Sequence, residues 1–350
     1  MIKKINVSLL GLGVGEQHLI ELKKNKLINK IKIFDFDKNK AKLLSKKYDV
    51  LLHTSTNEVY ADKEIDLVVD ASYDNFHYRN IYNSINQKKH IFVEKPAFQK
   101  YYEAEKIFKK LKNNKDIFFG TNYILRNSPR FLFLKNKIKK NFFGKIFSFE
   151  GDYNYGRLEK ITNGWRGKIP FYSVTLGGGV HIVDLAMFIL EKKITEVKTY
   201  SNKIITKNTL FKYNDFVTSL VKFEDQSIGK ITSNFGCVYP HFHKISLYGS
   251  KKTFENDFNY GKIYNSRGTH EFKKLRTAYK PKNKSLILRK FIQDIVSKKN
   301  RNNHLNQVFN ALSVCFAIEK SINTNKTIKV NPNHNPVFPS VISHRVISVS

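Results

Sequence analysis

Apolar and polar positions follow one another in two distinct textures along this chain. From Ile5 to about residue 120, short apolar runs alternate with amphipathic stretches. Ile5–Leu10, Ile31–Phe34, Ile65–Ala71, His90–Val93 and Ile117–Gly120 have the continuous apolar character of strands buried on both faces. Between them, Glu16–Lys26, Lys38–Lys47, the stretch leading to Lys88, and Tyr101–Asn113 read as helices. Strands alternating with helices of ~10–15 residues predict parallel pairing in a doubly wound sheet.

The texture changes after Thr121. Phe147–Tyr155, Thr195–Thr206, Phe216–Phe223, Ser227–Phe235, Lys244–Gly249 and Thr269–Lys273 read as strands separated by turn residues, which predicts an open, mostly antiparallel sheet. Helices are expected at Arg130–Lys139, His181–Leu190, Leu286–Ser297 and Asn306–Ile322. The expected architecture is α/β, with a nucleotide-type doubly wound domain over 1–121 and an α+β domain over 122–330. Residues 331–350, broken by Pro332, Pro336 and Pro339, read as a tail. No repeat of ~20–50 residues is present, so solenoids and propellers are excluded.

Composition narrows the classes further. The 350 residues carry 62 Lys+Arg against 29 Asp+Glu, so the formal net charge is 62 − 29 = +33. Ten of the 62 basic residues are Arg; the remaining 52 are Lys, spread over the whole chain. Lys, Asn, Ile, Phe and Tyr all have AT-rich codons, so a compositional origin accounts for the excess. Phosphate recognition would concentrate Arg in a stripe, and no specific nucleic-acid partner is expected. Two cysteines, Cys237 and Cys315, make neither a disulfide framework nor a Cys-rich metal site, and a reducing cytoplasm with no bound metal is expected. No stretch is apolar enough to span a bilayer, so no membrane partner is expected. The apolar run after Met1–Lys4 is ended by Glu16, Gln17 and His18, with no leader cleavage site.

Three segments carry chemistry. Gly11-Leu12-Gly13-Val14-Gly15 follows the first strand, and a turn without side chains lets backbone and a helix N-terminus approach a pyrophosphate. Its third glycine comes one residue early for the G-x-G-x-x-G fingerprint. Asp35, 24 residues after Gly11, is placed to accept from ribose hydroxyls; it favours NAD, while Lys38 and Lys40 leave NADP open. Glu94-Lys95-Pro96 ends a later parallel strand, where ligands of such sheets bind, and a desolvated lysine there suits proton transfer. Gly177-Gly178-Gly179-Val180-His181-Ile182-Val183-Asp184 opens a helix on which His181 and Asp184 share a face, with Asp184 orienting the imidazole. In isolation the first also reads as a solvated turn with an ordinary strand-end Asp, the second as a surface turn, and the third as a helix-capping polar pair.

Taken in this order, the segments resemble the Gfo/Idh/MocA family of nicotinamide-dependent oxidoreductases, from Ile5 to about Val330. The resemblance adds His18, Asp35-Phe36-Asp37, Ala71-Ser72-Tyr73-Asp74-Asn75-Phe76-His77 against the family's A-T-P-N-x-x-H, and Gly120-Thr121-Asn122 followed by Arg126. It implies a Rossmann domain binding NAD(H) or NADP(H) through Gly11, Gly13, Val14, Gly15, Asp35, Ser72, Tyr73, Asn75, His77, Glu94, Lys95 and Asn122. It also implies a second domain that closes over the nicotinamide and assembles homodimers or homotetramers. Lys95 and His181 correspond to the family's catalytic lysine and acid/base histidine. Two departures stand out: Tyr73-Asp74 replaces Pro-Asn, and Gly177 stands where many members carry an aspartate.

The implied reaction is hydride exchange between nicotinamide and a secondary alcohol of a sugar, cyclitol or sugar nucleotide. Lys95, Arg126, Trp165, Arg166, Tyr172, His181 and Asp184 are the expected substrate contacts; an Arg grips a carboxylate or phosphate, and Trp165 is the single tryptophan. Gly164-Trp165-Arg166-Gly167 with Tyr172-Ser173 is similar to members that handle surface-polysaccharide sugars. The competing readings are an NAD-dependent glycoside hydrolase without net redox change, a catalytically silent NAD-binding regulator, and a nucleic-acid binder.

Overall fold

The computed structural model describes residues 4–330. Six short strands build the first sheet: β1 (Ile5–Leu10), β2 (Ile28–Phe34), β3 (Leu51–Leu52), β4 (Leu67–Asp70), β5 (His90–Val93) and β6 (Phe119–Thr121). They lie in the order β3-β2-β1-β4-β5-β6, all parallel. The chain leaves β1 toward β2 on one side and returns through β4 on the other. That reversal opens a crevice beyond the carboxyl ends of the strands, where ligands of such sheets bind. Helices α1 (Gly15–Lys24), α2 (Lys38–Tyr48), α3 (Thr56–Ala61), α4 (His77–Asn86) and α5 (Tyr101–Asn113) make the crossovers.

A nine-stranded sheet forms the second layer system. Its strands are β7 (Ile146–Asn154), β8 (Ile194–Asn202), β9 (Phe216–Phe223), β10 (Ile228–Asn234), β11 (Phe242–Gly249), β12 (Thr253–Asn256), β13 (Gly261–Tyr264), β14 (Lys273–Leu275) and β15 (Ile328–Lys329). The order is β14-β13-β12-β11-β7-β10-β9-β8-β15, and every pairing is antiparallel except β7 with β10. Helices α6 (Pro129–Lys139), α7 (Glu159–Thr162), α8 (Val180–Leu190), α9 (Leu286–Ser297) and α10 (Arg301–Thr324) complete the domain. Ser128 caps α6 by accepting from the Phe131 amide, with Pro129 as the first helical residue, where its missing N–H costs nothing.

The two sheets share one of their cores. One apolar cluster runs from Ile81 and Ile107 under β5 through Phe149 and Ile182 to Phe309 and Ile318 of α10. Leu288, Phe291, Ile292 and Ile295 of α9 pack into the core of the first sheet with Leu9, Leu19 and Phe92. A late helix thus completes an early domain.

Several elements differ from the sequence reading. β3 and α3 were not expected; β3 has only two residues, both exposed, and offers no pattern to detect. β12, β13 and β15 were likewise unread, and the strand expected at Thr269–Lys273 lies later, at Lys273–Leu275. The strand expected to run to Thr206 stops at Asn202, because the Asp215 carboxylate takes up the Thr206 amide and hydroxyl in a loop. Helix α10 begins at Arg301, five residues early, where the Arg301 guanidinium bonds to the carbonyls of Leu111, Asn114 and Ile117. The proposed tail lies outside the described residues.

Candidate active site

A cleft of about 550 Å³ opens beyond the carboxyl ends of β1, β2, β4 and β5. At one end is the glycine turn. Gly11 sits at φ +80°, and a Cβ there would lie 2.4 Å from the Ala71 carbonyl, so only glycine fits. A side chain at Gly13 would instead meet open space, leaving a hollow in front of α1. Val14 enters that helix without a side-chain cap, so its first N–H groups face the hollow unsatisfied by protein side chains. Gly15 does not line the cleft; it lets α1 press on Ala71 and Leu9.

Asp35 closes this end. Its carboxylate accepts from the amides of Leu12 (2.6 Å) and Asp37 (2.9 Å), which ties β2 to the glycine turn while leaving the group on the cleft wall. Phe36, Asp37, Lys40 and Thr56 join it; Lys38 does not line the cleft. Two carboxylates against one ammonium disfavour a 2′-phosphate and suit ribose hydroxyls.

The closed end of the cleft is built on the segment after β4 and on the Glu94-Lys95 pair after β5. His77, with no exposed surface, holds these together: Nδ1 lies 2.8 Å from the Pro96 carbonyl and Nε2 3.1 Å from that of Ser72. Burial opposes a charge on this ring, yet Asp70, Asp74 and the two carbonyls outweigh it and raise its pKa. Asp70 in turn accepts from the Ser72 amide and hydroxyl and from Asn80. The Lys95–Pro96 peptide is cis. Glu94 accepts from His18 at 2.9 Å and Asn122 at 2.7 Å; burial works against its charge, but these donors and Lys95 keep its pKa below the ordinary value. His18 donates or accepts at its other nitrogen with Ser285, just before α9.

Lys95 reaches the second domain. Its Nζ donates to the Gly177 carbonyl at 2.5 Å, in a one-turn π-helical widening (Thr175–Gly179) that precedes α8. Burial lowers the pKa of Lys95, Arg166 lowers it further, and Asp74 and Glu94 oppose. A Cβ on Gly177 would fall 2.2 Å from Tyr172 Oη, so the tyrosine occupies the space a side chain at 177 would need. Tyr172 itself is buried, which pushes its hydroxyl pKa far up.

His181 feels the charge of this lysine without lining the cleft. Its ring stacks on Tyr153 at 6.1 Å and meets His243 edge-on at 5.9 Å, and its buried Nδ1 has no hydrogen-bond partner. Burial holds it neutral, helped by the charge of Lys95 and by His243 and His241. His241 is pushed down to about 4 by burial and by Arg157, Lys95, Lys280 and Lys284. The two extra histidines were not singled out in the sequence, although their i, i+2 spacing puts both on one face of β11 and its lead-in, with His243 opposite Tyr153.

Trp165 and Arg166 line the cleft from the second domain. Trp165 stacks on Tyr73 at 4.8 Å, and the Arg166 guanidinium lies 4.5 Å from the Trp165 ring centre. Arg166 makes no hydrogen bond or ion pair among the described residues, so its donors are uncommitted.

Of the residues expected at the cofactor, Gly11, Gly13, Val14, Asp35, Ser72, Tyr73, Glu94 and Lys95 meet in the cleft wall. Gly15, Asn75, His77 and Asn122 do not: Asn75 points to solvent, and His77 and Asn122 stand behind the wall holding Pro96 and Glu94. Of the expected substrate contacts, Lys95, Trp165 and Arg166 line the cleft, whereas Tyr172 and His181 are buried beside it. Arg126 and Asp184 depart from expectation altogether. Arg126 donates to both Asp184 oxygens, at 2.6–3.1 Å, beneath the Phe188 ring. That pair bolts α8 to the segment after β6, so Asp184 does not orient His181. Asp74 and Lys160 were missed. Lys160 sits on α7, a four-residue helix with no readable period.

Residues 5–122 match the family model for the Gfo/Idh/MocA oxidoreductase family, NAD-binding Rossmann fold, and residues 131–255 match the Gfo/Idh/MocA C-terminal domain. An uncharacterized oxidoreductase of Schizosaccharomyces pombe is 28% identical over 140 residues, which is 40% of this chain and 38% of the relative, well under half its length. The myo-inositol 2-dehydrogenase of Thermotoga maritima is 23% identical over 257 residues, 71% of this chain and 73% of that one. Among solved structures, a levoglucosan dehydrogenase in complex with NADH superimposes with a TM-score of 0.83 at 16% identity, covering 94% of this chain and all (100%) of the other.

Proposed function

The chain belongs to the Gfo/Idh/MocA family of oxidoreductases, with an NAD-binding Rossmann domain, and from there we propose that it oxidises or reduces a secondary alcohol on a sugar, cyclitol or sugar nucleotide. When bound, NAD supplies the acceptor for the hydride that leaves the carbinol carbon. The glycine turn, the start of α1 and Asp35 would hold it. Everything else is the work of side chains. Lys95 takes the hydroxyl proton during oxidation, and its lowered pKa suits a group that must lose and regain a proton near neutrality. Its hydrogen bond to the Gly177 carbonyl aims the amine across the domain boundary. His181, held neutral, offers an imidazole behind it to a hydroxyl or a proton.

The uncommitted Arg166 guanidinium, flanked by Trp165, suits a carboxylate or phosphate on the substrate, which supports a sugar acid or sugar nucleotide over a bare polyol. The resemblance of Gly164–Gly167 to members acting on surface-polysaccharide sugars points the same way. Relatives named for myo-inositol and levoglucosan support a sugar or cyclitol as the substrate class.

The observation that carries the proposal is Lys95: a desolvated amine at the closed end of a dinucleotide cleft, touching the second domain. The test is Lys95→Met, assayed by formation of reduced nicotinamide on a panel of polyols, uronic acids and nucleotide sugars. Turnover should fall by about 10²–10⁴-fold with NADH affinity retained. A parent enzyme that binds NADH yet turns over nothing on the panel would favour the silent regulator; NAD consumption without net reduction, alongside glycoside cleavage, would favour the hydrolase.

A further inference from the structure

Lys95 has one hydrogen bond, to the neutral Gly177 carbonyl, and no ion pair within 4 Å among the described residues. A cation at the closed end of a cleft needs a compensating charge. The other carboxylates of this region are committed: Glu94 is turned onto His18 and Asn122, Asp70 onto Ser72 and Asn80, Asp184 onto Arg126, and Glu319 onto Ser173 at 2.6 Å. Asp74 lines the same cleft as Lys95 and makes no side-chain hydrogen bond or ion pair among the described residues.

Its position is not left to a loose loop. Asp74 opens a single 3₁₀ turn (Asp74–Phe76), whose end is closed by the His77 amide bonding back to the Asp74 carbonyl. The His77 ring then fastens that turn to the carbonyl of Pro96, the residue after Lys95. Residues 74 and 95 are therefore parts of one clamped unit on the wall of the same cleft, beyond ion-pair distance but each within the field of the other's charge.

We infer that Asp74 is the positioning residue for Lys95: the carboxylate that balances its ammonium and carries its proton onward to solvent. This rests on the reading of Lys95 as the proton acceptor. In the step, the substrate O–H bond breaks as the Lys95 lone pair forms an N–H bond. The ammonium then passes a proton through an intervening water to the Asp74 carboxylate, restoring the neutral amine and leaving a carboxylic acid, which releases the proton to solvent. Burial raises the pKa of Asp74 while burial lowers that of Lys95, so the two groups approach one another in affinity for the proton. The other groups acting on the pair are Glu94 and His77 from the first domain and Arg166, His181, His241 and His243 from the second.

The test reads Lys95 directly. Acetic anhydride labelling across a pH series, with the Lys95 peptide quantified by mass spectrometry, gives the midpoint at which the amine becomes reactive. In Asp74→Asn the lost negative charge should lower that midpoint by about one pH unit; Asp74→Glu, which keeps the charge, should hold the parental value. On the best substrate of the parent, Asp74→Asn should lower kcat about tenfold or more at unchanged NADH affinity. An unmoved Lys95 midpoint in a folded, NADH-binding Asp74→Asn protein overturns the inference. A parent that oxidises no carbohydrate overturns the proposed function instead, and the labelling still decides the role of Asp74.

Discussion

The His77 ring touches the Pro96 carbonyl with Nδ1 and the Ser72 carbonyl with Nε2, so both nitrogens face acceptors and both need a proton. His77 is thus a buried imidazolium, and its raised pKa fixes the sign of its contribution. The stabilisation is fully present below the ordinary imidazole value of about 6.5 and is lost as pH rises through the raised one. His77→Gln should cost about 1.5–3 kcal/mol, the range for hydrogen bonds to a charged group. The gap between parent and variant in urea unfolding should be widest near pH 6 and narrow toward alkaline pH. A gap that widens with pH instead would mean that the ring is neutral.

Tyr172 and Gly177 compete for one volume. Gly177→Ala places a methyl group 2.2 Å from Tyr172 Oη and 2.5 Å from its Cζ, and should cost about 1–3 kcal/mol by overpacking. Tyr172→Ala alone leaves a cavity and should cost about 3–5 kcal/mol. Combined, the two should be less damaging than their sum by about 0.5–3 kcal/mol. Strictly additive melting data would show that the tyrosine does not fill the missing side-chain space.

Arg126 and Asp184 form a pair whose side chains are 14% and 1% exposed. Asp184→Ala strands a buried guanidinium and should destabilise the protein by about 3–5 kcal/mol. Because neither residue lines the cleft, NADH affinity in the surviving folded fraction should match the parent. An affinity loss at unchanged stability would put the pair back at the ligand.

Much of the first domain was legible because its strands are apolar runs bounded by turns, and because its chemistry sits at strand ends. Gly11, Asp35 and Lys95 could each be placed beyond the carboxyl end of a parallel strand, where ligands of such sheets bind. The second sheet was harder. The three strands at its β14 end are three or four residues long, and β15 at its other edge only two, too short for a period to register. Helical spacing put His181 and Asp184 on one face, but it could not show that Arg126 would arrive from another element and claim the carboxylate. Asp74 was passed over because Lys95 is 21 residues away along the chain, and only the fold shows that both line one cleft.

Helix α9 has a consequence for how this molecule can be taken apart. Leu288, Phe291, Ile292 and Ile295 plug the first sheet, while α10 joins that sheet to the second. A shortened gene ending after β6 would yield a product lacking four of its own interior side chains, an insoluble one by this logic. Chimeras meant to trade specificity between relatives should therefore keep α9 with the nucleotide half from which sequence order separates it.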